Sequence, residues 1–568
     1  MSSRSTVSRL TLIVSIIVAL LIATSCSKKS EQSVEELVKA GLLQELPPAT
    51  QGFIYWNFSS SEFKNYQKKM GAGGFANLIE KIVERQQAIQ QMEQPEISRA
   101  LTNWAQKHGV LVSESALGSP SVQEGVLFLE MKSDLPLPNL AMYLSTDTNQ
   151  EAKTLLSELQ SILQSNQVSI EEISFGDLSA ISIPLRKVVE DTQGSAPSTK
   201  NVPIAVMAAA KGKRVVFATS EHLLKHGFDS SETSTDGFTL LKASDGFKDL
   251  DQKLSANGVY TRLAYFDFDS FLERMKGFIS MIPDQEAQKW LSKDQAPVRG
   301  VMMKSWLDPK SGRYHSDGGV SFSSEFISQY ANTLSSNPSG KSLTGLAPEQ
   351  TALWLSLSGS IIKLAMQYSP TNQDDQVNKE LKGLLDLESV GLALIPSEGA
   401  QLFPGLSVIA RHQDSPELVK ELKAQLSSQQ SQSPLPLSQW QTKSVDGKNV
   451  DYVLSPIGLG IYLTAFGDNI VLTTNEDTLK KIFRTENGKQ AALSGFSSSP
   501  SSLAEFYLDA NGIANLLESL QGSLSMFTGG EPIISPADMV AVRELGQGAF
   551  VLSFTDHSLI YQSNHQIQ

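Results

Sequence analysis

Near the start of the folded part of the chain, apolar and polar positions alternate. Ile54, Trp56 and Phe58 are separated by single residues, and Ser59 follows. Period-two alternation predicts a strand with one buried face, and a serine at its end predicts a helix N-cap. Phe63, Tyr66 and Met70 then recur at helical spacing. The same unit returns as Leu353, Leu355, Leu357 and Ser358, leading into Ile361, Ala365 and Tyr368. Leu46-Pro47-Pro48 precedes the first copy and Leu346-Ala347-Pro348 the second. Two further copies read Ala264, Phe266, Phe268, Asp269 and Ala504, Phe506, Leu508, Asp509, each opening a helical pattern.

Other elements keep one order in both halves. Strand 140–144 with a helix from about Asp147 matches strand 406–410 with a helix opening at Asp414-Ser415-Pro416. A hairpin at 204–219, turning at Lys211-Gly212-Lys213 and capped by Ser220, matches one at 461–474, turning at Gly467-Asp468-Asn469 and capped by Asn475. Closing hairpins follow, from Val301 across Asp308–Gly312 to Tyr314, and from Ala549 across Thr555–Ser558 to Leu559. This order predicts a tandem duplication with domains at 46–324 and 346–568. The linker 325–345 contains the loop-rich Ser335–Gly340. Each domain is expected to be α+β, an antiparallel sheet with helices packed on one face. The first copy is longer, through a helical stretch near 74–108 and a loop at 191–200.

The first 25 residues read as a removable segment. Arg4 and Arg9 precede an almost unbroken apolar run, Leu10–Ala23. Such a run spans about 21 Å as a helix, short of the roughly 30 Å hydrocarbon core. It therefore reads as a secretory signal. Ala23-Thr24-Ser25-Cys26 resembles the lipobox of bacterial lipoproteins, with Ala23 where leucine is usual. The resemblance implies acyl chains (palmitate among them) on Cys26, an N-terminal membrane anchor, and a polar tether with a short helix at 26–45. Ser27 after the cysteine implies, by the same resemblance, the outer membrane, facing the periplasm. The rest of the chain loosely resembles an uncharacterised family of bacterial envelope proteins with repeated strand–helix units, which brings no activity or site residues with it.

Composition narrows the classes. With 40% hydrophobic and 19% charged residues the chain is neither wholly disordered nor a multi-span membrane protein. Its 47 basic and 60 acidic side chains give −13, a surface that repels nucleic acid. The single cysteine excludes a disulfide within the chain.

Candidate chemistry is sparse. Ser61-Glu62-Phe63-Lys64, Ser255-Ala256-Asn257 and Lys310-Ser311-Gly312 imitate the penicillin-binding set, but the last falls in a hairpin turn. Gly340-Lys341-Ser342 lacks the upstream glycine of a phosphate loop. His222 and His226 share a helix face without a third ligand. Asp147, Asn149, Glu151 and Glu158 imitate a calcium loop, but Ala152 stands where glycine is needed. No catalytic residue, metal or cofactor is expected. Tyr55, Tyr265 and Trp354 alternate with the apolar positions, with Glu505 as the fourth copy, and form a candidate binding surface on the second sheet face. The expectation is a non-catalytic binding or scaffold module on the envelope, its partner an envelope protein or a hydrophobic ligand. The alternatives are a periplasmic carrier of lipids and a cell-wall serine hydrolase or transpeptidase.

Overall fold

The computed structural model describes residues 41–65, 96–110, 121–131, 138–184, 205–229, 237–254, 259–280, 296–328, 342–367, 387–396, 404–429, 439–455, 460–486, 493, 502–528, 535–555 and 557–566. The signal segment, Cys26, the tether up to residue 40, the 191–200 loop, Ser255-Ala256-Asn257 and Ser335–Gly340 lie outside these residues. The folded chain divides into two compact units, with the change between Phe326 and Ile327.

In the first unit the described strands are β1 (Thr50–Asn57), β2 (Val122–Glu130), β3 (Asn139–Thr146), β4 (Glu171–Phe175), β5 (Leu178–Pro184), β6 (Ala205–Lys211), β7 (Arg214–Ala218), β8 (Val259–Asp267), β9 (Val298–Leu307) and β10 (Tyr314–Phe322). They pair antiparallel in the order β10-β9-β8-β1-β2-β3-β7-β6-β5-β4. The second unit has β11 (Leu353–Ser358), β12 (Ser389–Ile395), β13 (Gly405–Arg411), β14 (Gln441–Val445), β15 (Lys448–Leu454), β16 (Gly460–Phe466), β17 (Asn469–Thr473), β18 (Ser502–Asp509), β19 (Gln547–Thr555) and β20 (Ser558–Gln566). Their order is β20-β19-β18-β11-β12-β13-β17-β16-β15-β14. Each unit is thus an α+β fold on an antiparallel sheet, and the two sheets share one topology.

Individual bonds repeat as well. Thr50 Oγ1 donates to Pro47 O at 2.7 Å, and Thr351 Oγ1 to Pro348 O at 2.6 Å. The Leu140 N–H donates to Thr219 Oγ1 at 2.9 Å, and the Leu406 N–H to Thr474 Oγ1 at 2.9 Å. The registers revise the equivalences read from sequence. Phe53 faces Phe128 and Tyr265, whereas Trp354 faces Ala393 and Tyr507. Trp354 therefore corresponds to Phe53, Tyr507 to Tyr265 and Ser356 to Tyr55.

The described helices are α1 (Glu96–His108), α2 (Asn149–Ser165), α3 (Glu221–His226), α4 (Gly237–Ala243), α5 (Asp245–Lys253), α6 (Phe268–Ile279), α7 (Gly359–Gln367), α8 (Ser415–Gln429), α9 (Glu476–Glu486), α10 (Ala510–Thr528) and α11 (Pro536–Glu544). Turns of 3-10 helix occupy Leu42–Glu45 and Leu343–Leu346. Ser220, Ser358, Asn475 and Asp509 cap helices as expected, each accepting a first-turn backbone N–H. Ser60 takes this role in place of Ser59, whose hydroxyl bonds to Asn57. Asp267 takes it in place of Asp269, which pairs with Arg299 at 2.9 Å. α2 begins two residues after Asp147, behind a Thr148–Glu151 capping box.

Both units begin earlier than the alternation suggests. Leu42, Leu43, Leu343 and Leu346 are buried, so these 3-10 turns belong to the cores and not to a tether or linker. Arg214 holds the first turn from across the chain, its guanidinium meeting Glu45 at 2.6 and 2.8 Å. Neither β2 nor β12 was legible in the sequence, although both are central strands. Each is interrupted by a glycine that makes room for an indole: a Cβ at Gly391 would lie 2.5 Å from the Trp354 ring, and one at Gly125 would overlap Trp56.

Candidate functional site

One face of each sheet is a closed core. In the first unit Phe53 meets Phe238 of α4, with ring centroids 5.6 Å apart, and Tyr265 meets Phe247 of α5 at 4.9 Å. The Tyr55 hydroxyl donates to Glu124 Oε1 at 2.9 Å, that of Tyr143 to Leu223 O at 3.0 Å, and that of Tyr265 lies 3.0 Å from Ser244 Oγ. Burial is the main cause that pushes the pKa of all three phenols up, so they stay protonated hydrogen-bonding groups. In the second unit Trp354 Nε1 donates to Thr344 Oγ1 at 3.1 Å. The buried Glu505 carboxylate accepts from Ser342 Oγ at 2.7 Å, from Ser502 Oγ at 2.6 Å and from Thr344.

This geometry corrects the expected binding surface. Tyr55, Tyr265 and Trp354 are all buried core residues, and no open surface contains them. Glu505 is buried with them. In the second unit inside and outside are exchanged, since Leu353, Leu355 and Leu357 are half-buried around a buried Trp354; in the first unit Ile54 is half-buried, whereas Trp56 and Phe58 of the same register are buried as expected. Polar side chains can lie on the buried face because each is hydrogen-bonded there.

The other face is hydrocarbon and only partly covered. Register places one row across six strands of the first unit: Met303, Ala264, Ile54, Leu127, Met142 and Phe217. The matching row of the second unit is Phe550, Phe506, Leu355, Leu392, Val408 and Leu472. Phe217 is buried, Leu127 is exposed and the other ten residues of the two rows are half-buried. Leu140 and Leu406, at matching positions beside these rows, are 45% and 38% exposed, and Leu127 is 36% exposed. Helices cover the flanks in the first unit: Trp104 of α1 packs on Phe217 at 6.3 Å and Phe271 of α6 on Phe266 at 5.3 Å. Between those flanks the backbone N–H and C=O groups are used in the ladders, and every side chain of the two rows is apolar.

The sequence motifs find ordinary surroundings. Ser61 Oγ lies 3.1 Å from Glu62 on an exposed turn, and Ser311 closes the β9–β10 turn onto Asp308 at 2.5 Å. The His222 and His226 rings are 6.2 Å apart, and His226 Nδ1 lies 3.1 Å from the Tyr143 hydroxyl. Burial, then the neighbouring His222, lowers the His226 pKa and favours its neutral form. Glu151 is used in the capping box, and Glu158 binds Lys107 and His108. Among the described residues no three His, Cys, Asp or Glu side chains gather as metal ligands do, and no helix is long and apolar enough to cross a membrane.

No family model matches the chain, and no curated protein matches it. Solved structures of TP0453 show a distant likeness. Crystal form I is 9% identical with a TM-score of 0.22, covering 40% of this chain and 80% of that one. Crystal form IV is 10% identical with a TM-score of 0.21, covering 39% and 92%. Scores this low support no conclusion about fold or function.

Proposed function

We propose that this is an envelope protein, anchored through acyl chains on Cys26, whose two units bind hydrophobic chains on their apolar sheet faces. The carrying observation is that each unit carries a half-buried apolar row at the same place in its sheet, with Leu140 and Leu406 exposed at equivalent positions beside it. Strands lie about 4.8 Å apart, so six of them span roughly 24 Å. One leaflet of a bilayer core is about 15 Å deep, so an acyl chain lying across the row is covered along its length. The absence of polar groups from the rows favours hydrocarbon over a peptide or a glycan, both of which bring hydrogen-bonding groups that this face leaves unpaired. Lipid carriage, or a grip on lipidated partners, is the role this surface suits best.

The binding test is titration with a fluorescent fatty acid. Wild-type protein should bind it. Replacing Leu140 and Leu406 together by Asp should weaken binding at least tenfold, with the far-UV circular dichroism unchanged. Equal binding by the double variant would refute the site. The anchor is tested separately: radiolabelled palmitate should enter wild-type protein and not Cys26→Ala.

A further inference from the structure

The first unit brings together three side chains that the sequence keeps apart. His108 ends α1, Glu158 lies within α2 and Ser121 immediately precedes β2. Ser121 Oγ lies 3.0 Å from His108 Nδ1, and His108 Nε2 lies 2.8 Å from Glu158 Oε2. The imidazole is buried, whereas Ser121 is half-exposed. Trp104 lies against the imidazole at 6.0 Å and donates its indole N–H to Leu155 O at 3.1 Å, which ties α1 to α2. Lys107 Nζ reaches both oxygens of Glu158 at 2.8 Å.

We infer that Ser121, His108 and Glu158 form a nucleophile–base–acid relay that cleaves esters of fatty acyl chains. Hydrogen bonds from Lys107 and then His108 hold the Glu158 carboxyl below its ordinary pKa. The ionised Glu158 therefore accepts the Nε2 proton, which leaves Nδ1 free to accept from Ser121. In the first step Ser121 Oγ attacks the ester carbonyl carbon and its proton passes to Nδ1. The carbon–oxygen bond to the alcohol breaks, and the alcohol departs with that proton. Water then adds to the acyl-serine, giving a proton to Nδ1. The Ser121–acyl bond breaks, Ser121 regains the proton, and the fatty acid is released. The net reaction is ester plus water to acid plus alcohol.

The acyl substrate class rests on the binding reading above. Ser121 opens the strand that carries Leu127 and Leu129, and six residues of strand separate Ser121 from Leu127 by about 20 Å. The relay itself rests on its own distances. Wild-type protein should react with an alkyl fluorophosphonate, and peptide mass spectrometry should place the adduct on Ser121. Ser121→Ala should abolish that adduct, and His108→Gln should slow its formation at least a hundredfold. The far-UV circular dichroism of Ser121→Ala and of His108→Gln should match that of wild type, which shows that both variants are folded. No adduct on Ser121 of the wild type, or equal labelling of His108→Gln, would overturn the relay. An adduct on Ser121 together with failed fatty-acid binding would overturn only the acyl substrate class.

Discussion

Trp354 and Leu355 are neighbours on one strand, yet the structure assigns them opposite fates. Trp354 is fully buried, donates to Thr344 and lies over Gly391. Leu355 is half-buried on the apolar row. Truncating a buried tryptophan costs about 3–5 kcal/mol, and the hydrogen bond that Thr344 loses adds about 1 kcal/mol. Trp354→Ser should therefore cost about 4–6 kcal/mol. Leu355→Ser forfeits part of one leucine's burial, no more than about 1.5 kcal/mol. Urea denaturation of the full chain, followed by far-UV circular dichroism, reads both in the transition of the second unit. With a slope of roughly 2–3 kcal/mol per molar, Trp354→Ser should lower the midpoint by about 2 M and Leu355→Ser by about 0.5 M. Trp354→Phe keeps a ring and should fall between them. Equal shifts for Trp354→Ser and Leu355→Ser would refute the assignment of the two faces, and the proposed binding surface would fail with it.

Glu124 carries a pH signature. Burial first of all raises its pKa, opposed by hydrogen bonds from the Leu42 N–H and the Tyr55 hydroxyl. The folded state therefore holds this proton more tightly than the unfolded state, and its stabilising contribution is full below the ordinary carboxylate pKa and lost as pH rises through the raised one. Glu124→Gln should remove that dependence: its stability relative to wild type should grow as pH rises through that window, read as the urea midpoint of the first unit at several pH values. A constant difference would contradict the assignment. Gly391→Ala drives a methyl group into the Trp354 ring and should cost about 1–3 kcal/mol, whereas alanine at Gly277, exposed within α6 where a Cβ meets nothing within 4 Å, should stabilise the first unit by about 0.5–1 kcal/mol and raise its midpoint.

Much of the architecture was legible from local pattern. The hairpins at β6–β7, β16–β17, β9–β10 and β19–β20 followed from apolar runs and turn residues, and the caps at Ser220, Ser358 and Asn475 from the residues that open each helix. These signals are local because strands alternate and helices end where backbone donors need partners. The central strand β12 escaped because Gly391 breaks its apolar run, and β2 because Gln123, Glu124 and Gly125 fill its first half; both glycines answer to indoles on neighbouring strands.

The sequence by itself determined that strands with two distinct faces would recur in one order through the chain. It did not determine which face would be the core. Alternation is symmetric with respect to inside and outside, and hydropathy alone favours the leucine-rich register as the interior. Tertiary structure buried Trp354, Glu505 and Tyr55 of the other register because hydrogen-bonding partners meet them there: Thr344 for Trp354, Ser342 from 163 residues away for Glu505, and Glu124 from 69 residues away for Tyr55. The encounter of Ser121, His108 and Glu158 was likewise a product of packing α1 against α2. Burial of a polar group depends on a hydrogen-bonding partner, and where that partner is remote in sequence, as for Glu505 and Tyr55, only the folded chain supplies it.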